Sequence, residues 1–272
     1  MRHRFPAQGR AGRAPQGRLV AFTLLELLLV LAIIGIMAAV ALPSMKGLQK
    51  SNVMANATRQ LVDDLARARA TAIRERTTVH VIFVPPSVQG MTPSQGSDRG
   101  ALLDRRQWTN LVSGAYTRYA LFAERTVGDQ PGRANPRYLG DWQQLPEGVS
   151  FADWEFADVA PAQWDGTVDV DRPLKYDPFP FPTVNGLVQR VPHLAFDRTG
   201  ALLAYDASGA RVLRDEVLSL ARASVLVVRN PDGSLADFDY RESPPNNSRD
   251  SFNRIRIDAL TGRTRVEQPE VQ

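Results

Sequence analysis

Sixteen consecutive residues without a polar side chain, Leu27 to Leu42, follow a lone carboxylate at Glu26. A run of that kind admits few structures, and a helix satisfies its own backbone polar groups. Phe22 to Leu42 is 21 residues. At about 1.5 Å per residue it reaches roughly 31 Å, matching a hydrocarbon core of about 30 Å, so the run predicts a transmembrane helix. A charged group at mid-helix costs on the order of 2.5–3.5 kcal/mol on insertion scales and marks a functional site. Glu26 is therefore the first candidate functional residue, and its role depends on what it pairs with. A cleaved secretory signal has an apolar stretch of only about 7–15 residues. A plain anchor explains the length but gives no reason for the acid.

Ahead of the run stand Arg2, Arg4, Arg10, Arg13 and Arg18 with no acidic residue, which predicts a cytoplasmic N-terminus and places everything after Pro43 across the membrane. These arginines also account for the basic character of the chain. Taking the five of them from 33 basic residues leaves 28 against 29 acidic ones, so the remainder carries no global signal for nucleic acid. The chain has no Cys, and a domain on the far side must hold together by its core alone.

From Ser44 to Arg76, Met54, Thr58, Leu61, Leu65, Ala68 and Ala72 recur at three- and four-residue spacing, which predicts an amphipathic helix. Joined to the apolar run, it makes one helix of about 80 Å, bent near Pro43. Arg59, Asp63, Asp64, Arg67, Arg69 and Arg74 form its solvated face. The remainder reads as strands: Thr77 to Val84, Ala115 to Ala123, Val149 to Phe156, His193 to Phe196, Ala201 to Tyr205, and Ser224 to Arg229 before the turn sequence Asn230-Pro231-Asp232-Gly233. Arg254 to Asp258 and Arg263 to Val266 flank Leu260-Thr261-Gly262 as a terminal hairpin. Residues 85–108 and 157–190 read as long loops. The expected class is α+β, a long N-terminal helix packed on an antiparallel sheet or sandwich. The expected organisation is a basic leader (1–21), a transmembrane helix (22–43), its amphipathic continuation (44–76) and a β-rich domain (77–272).

Phe22-Thr23-Leu24-Leu25-Glu26, the apolar residues after it and Pro43 resemble the N-terminal signature of type IV pilins and type II secretion pseudopilins. Leu145-Pro146-Glu147-Gly148-Val149, Leu194 to Gly200, and Arg254 to Asp258 with Thr261-Gly262-Arg263 are more loosely similar to minor pseudopilins of the GspH/FimT type. The resemblance implies cleavage between Ala21 and Phe22 by a prepilin peptidase and methylation of the new Phe22 amine. It implies that Glu26 pairs with the amine of a neighbouring subunit, and that Pro43 bends the helix. The residue before the cut is Ala21, where the family usually has Gly. The partners implied are other pilin or pseudopilin subunits and an inner-membrane assembly platform. The location implied is the bacterial inner membrane in a single pass, with the C-terminal domain periplasmic, followed by a periplasmic or surface filament. A paired carboxylate costs much less than an isolated one, so the same acid that penalises a lone subunit favours assembly.

Catalysis is not expected, and neither is a cofactor or metal. The three histidines, at 3, 80 and 193, have no metal spacing, no nucleophile or phosphate motif occurs, and thiol chemistry is excluded. Asp165, Asp169, Asp171 and Asp177 read as a solvated acidic loop, with calcium ligation as the alternative. Some minor pilins of the FimT type contact DNA through a Gly-Arg-x-Arg tail. Gly262-Arg263-Thr264-Arg265 resembles it, so Arg254, Arg256, Arg263 and Arg265 are candidate contacts to DNA phosphates. Their plainer reading is a charged edge hairpin that resists sheet-to-sheet aggregation. A third reading is a membrane-anchored β domain that never polymerises.

Overall fold

The computed structural model describes residues 24–86, 108–125, 129, 134–157, 172–206, 210–231, 235–251 and 253–269, with the backbone alone for 38–51. Two compact units divide between Gln49 and Lys50. Helix α1 (Leu24–Glu75) has 52 residues and its assignment runs unbroken through Pro43. Its strands are β1 (Val79–Phe83), β2 (Arg118–Ala123), β3 (Arg137–Tyr138), β4 (Gln143–Gln144), β5 (Val149–Phe151), β6 (Lys175–Phe181) and β7 (Leu187–Phe196). They continue as β8 (Ala204–Tyr205), β9 (Arg211–Val212), β10 (Glu216–Arg229), β11 (Leu235–Glu242), β12 (Asn253–Ile257) and β13 (Thr264–Glu267).

One sheet has the order β3-β2-β1-β7-β6, with β4 also on β2. The other has the order β11-β10-β12-β13, with β5 also on β10, and β8 pairs β9 apart from both. The named strand pairings are antiparallel. In the second unit, Met54, Ala57, Leu61, Leu65, Ala68 and Ala72 of α1 form a buried stripe. It shares a core with Val79, Val81 and Phe83 of β1, Leu218 and Leu220 of β10, and Ile255 and Ile257 of β12. Ile82, on the opposite face of β1, enters a second core with Phe122, Phe179, Phe181, Val191 and Trp108. Strand β1 is thus covered on both faces, which is why every one of its five residues is buried.

The expected class is corrected. Strand outweighs helix, 39% to 28%, and the fold is organised by two curled sheets rather than by a helix laid on one. Among the described residues no helix is long and apolar enough to cross a membrane. On that finding the expected transmembrane half-helix is not supported, nor is the single-pass inner-membrane location with a cytoplasmic N-terminus and a periplasmic domain. The anchored-domain reading loses its support on the same finding.

Residues 157–190 are not one loop, because β6 and the start of β7 lie within them. Pro178 and Pro180 are compatible with a strand because β6 stands at the sheet edge, where a missing N–H interrupts no ladder beyond it. The strand expected over Val149 to Phe156 ends at Phe151 and gives way to a 3₁₀ turn, Asp153–Phe156. Residues 87–107, most of the other expected loop, lie outside the described residues.

Candidate functional site

Three places carry chemistry. The first is the start of α1. Glu26 lies in its first turn, where unpaired backbone N–H groups and the helix dipole favour an anion. The large apolar side chains around it are exposed: Leu24 and Leu25 at 80%, Leu27 to Leu29 near 60%, and Ile36 and Met37 at 67%. These side chains encircle the helix rather than lining one stripe, the pattern of a helix that is buried on all sides in its working state. At Gly35 nothing stands within 4 Å of where a Cβ would be, leaving a notch on the helix surface. Ala21 and Phe22, the expected cleavage pair, lie outside the described residues, as does the side chain of Pro43.

The second place is the terminal hairpin. Strands β12 and β13 set Arg254 opposite Glu267 and Arg256 opposite Arg265. Two guanidiniums directly across a ladder repel each other, and Glu267 offsets this. Its Oε1 accepts from Arg256 Nε at 2.8 Å and from Arg265 Nη2 at 3.0 Å. Arg256 first, and then Arg265, hold the Glu267 carboxyl below the usual carboxylate range. Arg256 also lies 3.8 Å from Asp215. Arg254 is partly buried and Arg263 is exposed. The four arginines do meet on one hairpin, but an acid stands between two of them. The turn closes through Gly262, at φ +60°, where an added Cβ would come within 2.1 Å of the Gly200 carbonyl oxygen.

The third place was not legible in the sequence. His80 of β1 and His193 of β7 lie diagonally across the ladder, since His80 faces Ala195 and Ile82 faces His193. Their ring centroids are 5.1 Å apart, and Phe179 packs edge-on against both. His80 Nε2 lies 2.9 Å from Glu124, and His193 Nε2 lies 3.5 Å from Asp177. Lys175 Nζ holds Asp177 at 3.0 Å. Asp177 is thus a strand residue beside a histidine rather than part of an acidic loop; Asp165, Asp169 and Asp171 lie outside the described residues. Burial, and after it His80 and Lys175, push the His193 imidazole well below its ordinary range. Among the described residues no group of His, Cys, Asp and Glu has the arrangement of a metal site. The only signal available beforehand was that both histidines fall in predicted strands.

No family model, no curated protein and no solved structure matches the chain.

Proposed function

We propose that this chain is a filament subunit of the pilin or pseudopilin kind, a minor one, whose copies and relatives assemble through the N-terminal helix after cleavage between Ala21 and Phe22. What supports the reading is the exposed apolar surface of α1 from Leu24 to Met37. Fully burying one large apolar side chain gains about 1.5–3 kcal/mol. Covering even half of this surface contributes on the order of 10 kcal/mol before the costs of association, which take up a similar range. Helices of neighbouring subunits are the occupant. The open notch at Gly35 lets a second helix approach closely, as small residues do in packed apolar helices. In this reading the motif from Phe22 to Glu26 sets the axial register, through the new amine of one subunit and the carboxylate of the next. The DNA-contact reading of Arg254, Arg256, Arg263 and Arg265 has weaker support, because Glu267 and Asp215 already engage two of the four cations, Arg256 and Arg265.

The absence of cysteine supplies the test. Single cysteines placed at Leu28 and at Ile34 should give disulfide-linked dimers on mild oxidation of the full chain. A cysteine at Val188, exposed at 67% on β7, should not. Equal crosslinking at all three positions, or none at Leu28 and Ile34, overturns the proposal. N-terminal sequencing of the mature protein should begin at Phe22.

A further inference from the structure

A cleft of about 500 Å³ opens between the 3₁₀ turn Asp153–Phe156, the end of β11 and the turn that follows it. That size falls within the roughly 300–1,000 Å³ of small-ligand sites. Trp154 and Tyr240 stand half-buried in its wall. Asp153, Arg241, Asn246 and Arg249 line it as exposed polar side chains.

The wall is held in place from behind. Glu242 accepts from the Ser248 backbone N–H at 3.1 Å and from its hydroxyl at 2.7 Å. The Tyr240 hydroxyl lies 3.2 Å from Glu242 and 3.3 Å from the Phe151 carbonyl. Asn247 is fixed in both directions. Its side-chain amide donates to the Arg222 and Pro244 carbonyls at 2.9 and 2.8 Å, and its Oδ1 accepts from the Arg222 N–H at 2.7 Å. This anchored residue holds its neighbour Asn246 in the left-handed region, at φ +56°, a conformation that Asn tolerates better than most residues. A cleft built this way needs little ordering when a ligand arrives.

Its lining selects among ligands. Asp153 and Glu242 balance Arg241 and Arg249, so the cleft offers no net charge to a nucleic acid or an acidic peptide, whose binding depends on excess cations. The aromatic rings offer apolar faces, with the Trp154 Nε1 buried and the Tyr240 hydroxyl engaged behind the wall. Around them stand both acceptors and donors on planar side chains. A matching ligand presents an apolar C–H face together with hydroxyls that donate and accept at once. Sugar rings have that combination. We propose that this cleft binds a neutral oligosaccharide, with a sugar ring against Trp154 or Tyr240 and its hydroxyls on Asp153, Asn246 and the arginines.

The test titrates the full chain, kept in a detergent without a sugar headgroup, with cellohexaose, chitohexaose and maltohexaose, followed by tryptophan fluorescence and calorimetry. At least one should bind saturably. Trp154→Ala should lower its affinity by roughly tenfold or more, as loss of an aromatic anchor does. Asp153→Asn and Arg249→Gln change exposed side chains, leave the fold as judged by circular dichroism, and should each weaken binding several-fold. Failure of all three sugars to bind overturns the proposal. So does binding that survives unchanged in Asp153→Asn and Arg249→Gln, or saturable binding of a single-stranded oligonucleotide or an acidic peptide in place of the sugars.

Discussion

His193 gives the protein a pH-dependent stability that can be isolated by one substitution. Its side chain is 5% exposed and packs against His80 and Phe179. Nδ1 lies 3.1 Å from the Lys175 carbonyl, which assigns the proton of the neutral ring to Nδ1. A charged imidazole here would lose its hydration and face Lys175 and His80, so burial first, and then these neighbours, keep it neutral well below its ordinary range. Asp177 offers only a partial counterweight, since Lys175 already holds it. The unfolded chain has no such restraint and binds a proton near pH 6.5. Below that pH the unfolded state carries more protons than the native state, so stability falls as the pH falls, by about 1.4 kcal/mol per pH unit. Between pH 7.5 and 5.5 the loss assigned to His193 is therefore about 1.4 kcal/mol. Ordinary carboxylates titrate below that window, and Glu124, held down first by its bond to His80, titrates lower still. Urea unfolding of wild type and of His193→Gln at the two pH values measures the difference. The variant should be flatter with pH by about 1.4 kcal/mol. An identical pH dependence in both proteins, or a wild type more stable at pH 5.5, refutes the argument.

Other substitutions probe the fold around the two cores. Leu61→Ala, at a side chain with no exposure in the helix stripe, should cost about 2–5 kcal/mol in chemical denaturation. Tyr119→Phe removes a 2.6 Å hydrogen bond to Asp64 and a contact with Gln60 that tie β2 to α1. It should cost about 1.5–3 kcal/mol, the range for a bond to a charged partner, read as a lower melting temperature without loss of the fold. Gly262→Ala meets both a positive φ and the Gly200 carbonyl oxygen, and should destabilise by at least about 1 kcal/mol. A neutral outcome there would mean that the two turns separate without penalty.

Local elements were legible where a physical signal is contained in a few neighbouring residues. The spacing of Met54, Thr58, Leu61, Leu65, Ala68 and Ala72 is the spacing of a helix face, and these residues are buried. Leu260-Thr261-Gly262 read as a turn, and there the Thr261 N–H and hydroxyl donate to the Asp258 carboxylate, each at 2.7 Å. The strands on either side pair as a hairpin. Strand β6 was not legible, because two prolines suppress a local strand signal and their tolerance depends on its being at an edge. Nor was the class. Apolar length and one acid predicted a membrane helix, whereas the balance of sheet and helix emerges only when distant strands pair.

The sequence by itself determined the apolar, acid-bearing start of α1, the helix face that enters the core, and the turns at glycines with positive φ, since each follows from periodicity or backbone freedom within one segment. Tertiary structure alone decided that β1 lies between two cores, that His80 meets His193, that Glu267 stands between Arg256 and Arg265, and that Trp154 and Tyr240 share a cleft. Those outcomes depend on sheet register between segments far apart in the chain. Register is set by the joint burial of whole faces rather than by any residue alone.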